Sequence, residues 1–336
     1  MTSRIAGHEV HEVLPDQQRF ASPVRFWQHF WQWLSNDTLA GSGSDDQRID
    51  PWRAAAFAGL HLGCLAVFLT GASAVAVGAA VAAYLLRMFF VTAFYHRYFS
   101  HRAFRASRPV QFMMALAGTT AGQRGPLWWA AHHRLHHRHS DRPADPHSPV
   151  RQGFAHSHCG WFLTRANFHA PVAYMKDWLR FPELRWVERL APLLFLGYGA
   201  LCYGAGAWLA RSAPELGTSG PQMFVWAFLI STVVLYHATY TINSIAHRFG
   251  SRRFDTPDDS RNNAALALIT LGEGWHNNHH RFPNTARQGF AWYELDISYL
   301  GLALLAAVGL VSELKPLPAA ARAEMARLRD RGKGAA

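Results

Sequence analysis

Four apolar blocks constrain this chain more than any other feature. They run from Ala54 to about Thr70, from about Ala74 to Tyr95, from Leu190 to Ala210 and from about Met223 to Ile245. Each is close to the ~20 residues an α-helix needs to cross a ~30 Å hydrocarbon core. A chain of 336 residues would ordinarily suggest two soluble domains, but half of these residues are hydrophobic and the apolar ones are gathered in blocks. The expected fold class is an all-α integral membrane protein with four transmembrane helices. Residues 1–50 form an N-terminal segment, 51–317 the main domain and 318–336 a basic C-terminal tail.

Four crossings put both termini on one side. The first two blocks are joined by the uncharged Gly71-Ala72-Ser73, and the last two by Arg211 to Gln222, where Glu215 cancels Arg211. Essentially all of the net charge of +11 therefore lies on the opposite side, which the positive-inside rule assigns to the cytoplasm. The setting this implies is a bacterial inner membrane, with no nucleic-acid partner. Cys64, Cys159 and Cys202 are too few and too scattered for a disulfide framework. The first 25 residues lack the apolar core of a cleavable signal peptide, so the first span itself acts as the membrane signal. Val24, Trp27, Phe30, Trp31 and Leu34 mark one helical face, and Lys176 to Leu190 repeats the pattern. Either helix can lie in the membrane interface or pack on a cytoplasmic domain. Gln111 to Gly122 is too short to cross and reads as re-entrant or interfacial, and Ile297 to Val311 belongs in or against the membrane.

Nine of the 20 histidines fall in four clusters at or beyond the cytoplasmic ends of the second and fourth blocks. These are His96-Arg97-Tyr98-Phe99-Ser100-His101, His133-Arg134-Leu135-His136-His137, Asn243-Ser244-Ile245-Ala246-His247 and His276-Asn277-Asn278-His279-His280. On an α-helix the i, i+3, i+4 histidines of the second and fourth clusters present three imidazoles to one point, and Asn243 lies one turn before His247. His96 and His101 are about 140° out of phase on a regular helix, so one of them must sit past a helix end. Nine imidazoles exceed what one transition metal accepts, so two metals are expected, and imidazole suits Fe, Zn, Cu and Ni alike. His8, His11, His29, His61 and His237 stand outside the clusters and are expected not to be ligands.

The order HRYFSH, HRLHH, NSIAH and GEGWHNNHH resembles the membrane fatty acyl desaturases, most closely the acyl-CoA Δ9 (stearoyl-CoA type) branch and its bacterial relatives. The resemblance covers roughly Pro51 to Leu317. It implies a cytoplasmic helical cap holding a di-iron site, with His96, His101, His133, His136, His137, His247, His276, His279 and His280 as ligands and Asn243 holding one iron through water. It also implies that a cis double bond, at carbon 9, is introduced into a long-chain acyl thioester, with acyl-CoA as the expected substrate. His132 stands where animal members carry an acidic residue. No His-Pro-Gly-Gly haem-binding sequence is present, so electrons are expected from a separate donor such as ferredoxin, rubredoxin or cytochrome b5 with its reductase. The chemistry agrees, because removing hydrogen from an unactivated methylene needs O2 at a redox-active metal, which Zn is not. Zinc can still replace iron in overexpressed protein, since imidazole binds both. Neutral imidazoles leave the metal charge unbalanced, and Asp141, Asp145 and Glu273 are the nearby carboxylates expected to orient them.

If His96 points at a metal, then Thr92, Met88 and Tyr84 follow the same i−4 ridge into the bilayer and are expected to line the acyl slot. The resemblance places chain-length control at Met88 and Tyr84. Thr239 and Tyr240 would face the same slot, although animal members carry Trp where Tyr240 stands. Arg87, in the middle of a span, reads as functional or as snorkelling to lipid. Arg124, Arg134, Arg138, Arg142, Arg252 and Arg253 are candidates to pair with CoA phosphates, an acidic carrier protein or membrane lipid headgroups. Two other outcomes compete with desaturation. One is a hydroxylase or oxidative decarboxylase built on the same histidine boxes, and the other is a membrane metal transporter or sensor.

Overall fold

The computed structural model describes residues 38–39 and 45–334 of the chain, with side chains to residue 330. Four helices are long and apolar enough to cross a membrane: α1 (Pro51–Thr70), α2 (Ala74–Ser100), α5 (Pro182–Ser212) and α6 (Gly220–Ser244). The amphipathic stretch around Val24 to Leu34, with His8, His11 and His29, lies outside the described residues.

Local chemistry explains where each span starts and stops. Asp50 caps α1 by accepting from the amides of Trp52 and Arg53, and Pro51 opens the helix without wasting an amide. Gly71, with φ of 70°, turns the chain after α1, and Ser73 then caps α2 through the Ala76 amide. Ser219 caps α6 in the same way. On α1, Leu62, Leu65, Phe68 and Leu69 are all exposed, as a lipid-facing helix requires. α6 is the most enclosed of the four.

Two boundaries differ from the sequence expectation. The second span runs on to Ser100, and its last eleven residues, Phe90–Ser100, are wound as a π-helix. The third begins at Pro182, so the segment up to Leu190 is the start of the span and not a separate interfacial helix. At 1.5 Å per residue the 31 residues of α5 reach about 46 Å, more than the hydrocarbon core needs. Such an excess is accommodated by tilt or by turns that project beyond the apolar layer.

The shorter helices gather around the ends of α2 and α6 that carry the histidines. They are α3 (Arg108–Thr119), α4 (Pro126–His139), α7 (Ala264–Ile269), α8 (His276–Arg281), α9 (Ile297–Ala307) and α10 (Ala319–Gly334). α3 and α9 are too short to cross. α9 lies against α2, with Gly301 under the Phe89 ring and Ser298 Oγ 2.6 Å from Thr92 Oγ1. A two-residue ladder pairs Arg105 with Ser312 and Ala106 with Val311, tying the segment after α9 to the loop after the first histidine cluster. Phe99, Trp178, Tyr98 and Phe104 form the aromatic centre of the core between α2 and these helices.

Arg87 does not snorkel. Its guanidinium is buried and donates to the Thr120 carbonyl and to the hydroxyls of Thr232 and Ser231, 4.7 Å from the Tyr198 ring. It ties α2 to α5, α6 and the end of α3.

Candidate metal centre

Two groups of imidazoles form where α2, α4, α6 and α8 converge. His96, His101, His133, His137 and His279 make the first, and His136, His247, His276 and His280 the second. Within each group, one nitrogen of every ring lies within 4.8 Å of all the others. The i, i+3, i+4 histidines of α4 do not share one point. His133 and His137 enter the first group while His136 enters the second, and on α8 His279 separates from His276 and His280 in the same manner. Each of these two helices runs between the groups and serves both.

The π-winding of α2 brings His96 and His101 together. The His101 amide bonds to the His96 carbonyl at 3.2 Å, an i to i−5 closure, and His101 itself lies just past the last helical residue. The rings then sit 4.9 Å apart. α6 ends at Ser244, so His247 stands in the following turn and not on the helix that carries Asn243.

Four of the nine rings are held from behind by a carboxylate. Asp145 accepts from Nδ1 of His136 at 3.0 Å, Asp141 from His247 at 2.9 Å and Asp258 from His280 at 2.8 Å, and Glu273 contacts Nδ1 of His96. A carboxylate that accepts at Nδ1 fixes the tautomer in which Nε2 carries a lone pair. Those lone pairs point inward. Nε2 to Nε2 distances are 2.9 Å for His96–His279, 2.9 Å for His137–His279, 2.8 Å for His101–His133 and 3.0 Å for His247–His276. Nε2 of His280 is buried with no partner among the described residues. Converging acceptors and an orphaned one are what a cation would satisfy, so the residues fit a metal in each group.

Protonation favours the same role. Burial, then the neighbouring imidazoles, holds His101, His133, His137, His276 and His279 well below the ordinary histidine value. Burial takes His280 down to about 4 against the pull of Asp258. These rings are neutral at physiological pH and able to donate to a metal. Asp141 is held near 2 despite its burial, chiefly by the His247 hydrogen bond, and stays ionised. His136 moves the other way, because Asp145 outweighs burial.

Asp258, Arg97, Gln288 and His147 were not among the residues expected from sequence. Arg97, inside the first cluster, is fully buried between Glu273 at 3.0 Å and Asp296 at 2.9 Å, and so fixes the carboxylate behind His96. Gln288 donates to Glu273 from the other side. Asp258 lies in the acidic run Asp255 to Asp259, and only that run hinted at it. His147 stacks on His136 with ring centroids 4.3 Å apart, beside Asp145. His132 is in neither group; it bonds the His169 carbonyl and packs against Trp128 with the rings tilted, centroids 4.4 Å apart. His61 and His237 also lie outside, but they are not isolated. His61 bonds His237, and His237 bonds His158, at 2.9 and 3.0 Å.

Two cavities meet at this centre, sharing Trp129, His133, Thr239 and Asn243 in their walls. The larger, about 240 Å³, lies between α1, α5 and α6 and includes Tyr240. The smaller, about 40 Å³, reaches Thr92 and Met88. Tyr84 lines neither of them, and its hydroxyl donates to the Ile269 carbonyl. At the junction, Trp129 donates to Gln123 and Gln123 donates to Thr239, at 3.2 and 3.1 Å.

The arginines divide. Arg134 is pinned by the Ser100, Phe99 and Tyr174 carbonyls and by Asp177, and Arg253 by Glu294 and Asn278. Both guanidinium groups serve the fold and are not free to hold a carrier. Arg252 bonds the Thr256 carbonyl, Arg138 and Arg142 are exposed, and Arg124 lines the larger cavity.

Comparison with known proteins gives consistent results. The model of the family described as fatty acid desaturase matches residues 72–299. An sn-1 stearoyl-lipid 9-desaturase of Anabaena variabilis is 35% identical over 262 residues, covering 77% of this chain and 91% of its own. An acyl-CoA 5-desaturase of Anemone leveillei is 34% identical over 261 residues, covering 76% and 77%. A hex-5-enoyl-[acyl-carrier protein] acetylenase of Moorena producens is 32% identical over 274 residues, covering 76% and 81%.

Proposed function

This chain belongs to the fatty acid desaturase family, and from that premise we propose that it places a cis double bond at carbon 9 of a long acyl chain at a di-iron centre held by the nine clustered histidines. It is a fatty acyl desaturase, an oxidoreductase with four helices long and apolar enough to span a membrane. The observation that carries the finer reading is the junction of the two cavities beside the imidazole groups, where a chain lying in the larger cavity would pass His133 and Asn243 with its tail toward Met88.

Iron, when bound, supplies the one-electron oxidising chemistry that an unactivated methylene requires. Overall, two adjacent carbons each lose a hydrogen, while O2, two electrons and two protons become two waters. The protein does the rest by placement. Asp141, Asp145, Asp258 and Glu273 orient rings whose Nε2 atoms face inward, and they offset the cationic charge. The Trp129–Gln123–Thr239 chain fixes the wall past which the acyl segment bends. The apolar wall around it excludes water from the carbons being oxidised. Asn243 is assigned to hold a water on the second group.

Electrons come from a separate donor of the ferredoxin, rubredoxin or cytochrome b5 kind, acting from the cytoplasmic side. Position 9 is supported by the lipid 9-desaturases among the relatives, although a 5-desaturase and an acetylenase are also among them. Expression in an unsaturated-fatty-acid auxotroph, followed by mass spectrometry of its lipids, tests the reading. Monounsaturated chains with the bond at carbon 9 are expected. A gain of oxygen in place of a loss of two mass units would overturn it in favour of hydroxylation, and a bond elsewhere would overturn the position alone.

A further inference from the structure

Two cations on the wall of the larger cavity make no ion pair with a carboxylate among the described residues. Arg53, the third residue of α1, and Arg124, just before α4, both line it. Their guanidinium carbons lie 4.2 and 5.3 Å from the centroid of the same ring, Phe168. Arg53 spends one donor on the Thr164 carbonyl at 2.7 Å, and among the described residues Arg124 donates only to the Phe162 and Phe168 carbonyls, at 3.4 and 3.5 Å, with the Trp128 ring 4.6 Å away. A guanidinium has five N–H donors, so most of theirs are unspent. The nearby acids are engaged elsewhere. Asp50 caps α1, and Glu188 accepts from the Thr38 hydroxyl and from the amides of Leu127 and Trp128. Burial, then repulsion from Arg53, brings Arg124 down to about 9. Two like charges kept partly out of water are costly unless an anion joins them.

We propose that Arg53 and Arg124 form a phosphate subsite that holds the headgroup phosphodiester of a membrane glycerolipid while its acyl chain lies in the larger cavity. The assignment rests on the reading that this cavity takes the substrate chain. Paired guanidinium forks match phosphate oxygens in geometry and charge. The depth favours a lipid. Arg53 begins the first span beside Trp52, whose half-exposed ring marks the headgroup level. The cavity wall is drawn from α1 and α5, yet α1 leans on α6 and makes no extended packing with α5. On this proposal a chain in the bilayer enters from the side, between those two helices.

The test uses the full-length protein in neutral detergent and reads quenching of tryptophan emission, since Trp128, Trp129 and Trp161 line the cavity. The probes are phosphatidylglycerol with dibrominated stearoyl chains, the uncharged diacylglycerol with the same chains, and dibrominated stearoyl-CoA. Arg53→Gln and Arg124→Gln are each expected to weaken phosphatidylglycerol binding by roughly ten-fold, as loss of a charged hydrogen bond does. Binding of the uncharged lipid should not change, and Arg124→Lys should lose less than Arg124→Gln. If a Gln variant fails to insert, the Lys variants carry the same comparison. Unchanged phosphatidylglycerol affinity would overturn the subsite. So would equal losses for the charged and uncharged lipids, which mark a structural role. A loss for stearoyl-CoA alone would overturn the lipid assignment in favour of coenzyme phosphates. Binding is read without turnover, so a wild type that binds the lipid without desaturating it would count against the reaction and not against the subsite.

Discussion

Asp258 shows what a single side chain contributes behind the histidines. Its carboxylate sits 2.8 Å from Nδ1 of His280, whose other nitrogen is buried and has no partner among the described residues. Removing such a carboxylate typically costs ten- to a hundred-fold in metal affinity. Asp258→Asn should therefore lose metal to a chelator at concentrations that leave Asp255→Asn intact, because Asp255 is fully exposed. Metal per protein, measured after dialysis, checks this, and equal retention would reduce Asp258 to a surface-loop residue. Asn243→Leu should insert normally and lose most turnover; an unchanged rate would make Asn243 a packing residue. At this scale the histidines were legible because the spacing of a metal site is local in sequence. Asp141, Asp145 and Glu273 were legible because they stand beside the clusters. Asp258, Arg53 and Gln288 were not, since only the tertiary fold brings those loops to the site.

Among the elements, the π-wound end of α2 does what a regular helix does not. It closes five residues per hydrogen-bonded turn and so brings His96 and His101 to within 4.9 Å. Deleting Ala93, which would favour α-winding, should rotate the two rings apart and lower metal content toward that of the second group alone. Sequence spacing shows the five-residue interval but not the winding, because π-turns have no propensity signature of their own. Of the α2 ridge residues, Thr92 and Met88 line the smaller cavity and Tyr84 lines neither cavity. Met88→Ala should shift product ratios toward longer acyl chains in a competition assay, because Met88 lines the smaller cavity. Tyr84→Phe should leave those ratios unmoved, since Tyr84 lines neither cavity. A shift of equal size for both would restore a slot running the full length of α2.

For the molecule as a whole, the four apolar blocks fixed the number of crossings, and charge asymmetry gave the proposed orientation. Tags at the two ends should both be reached by protease from the same face of inverted vesicles, and opposite accessibility would require an odd number of crossings. Stability should also carry an acid-side signature. Burial alone would raise the Asp177 carboxyl, but Arg134 and Arg102 hold it below the ordinary carboxylate value. A depressed folded-state value means that its stabilisation is complete above the unfolded value near 3.9 and is lost as pH falls through the lower folded one. Asp177→Asn should lower the unfolding free energy at pH 7 by about 1 kcal/mol after allowing for solvent screening, and the difference from wild type should begin to shrink as pH falls below about 4 and vanish only below the depressed folded value. Each metal group, finally, draws on both halves of the chain, α4 from the first and α8 from the second. A growing polypeptide therefore holds the first set complete only once residue 279 has emerged, and the second only with residue 280. On the proposed metal reading, a copy truncated before α8 lacks ligands from both groups and should retain no metal through dialysis.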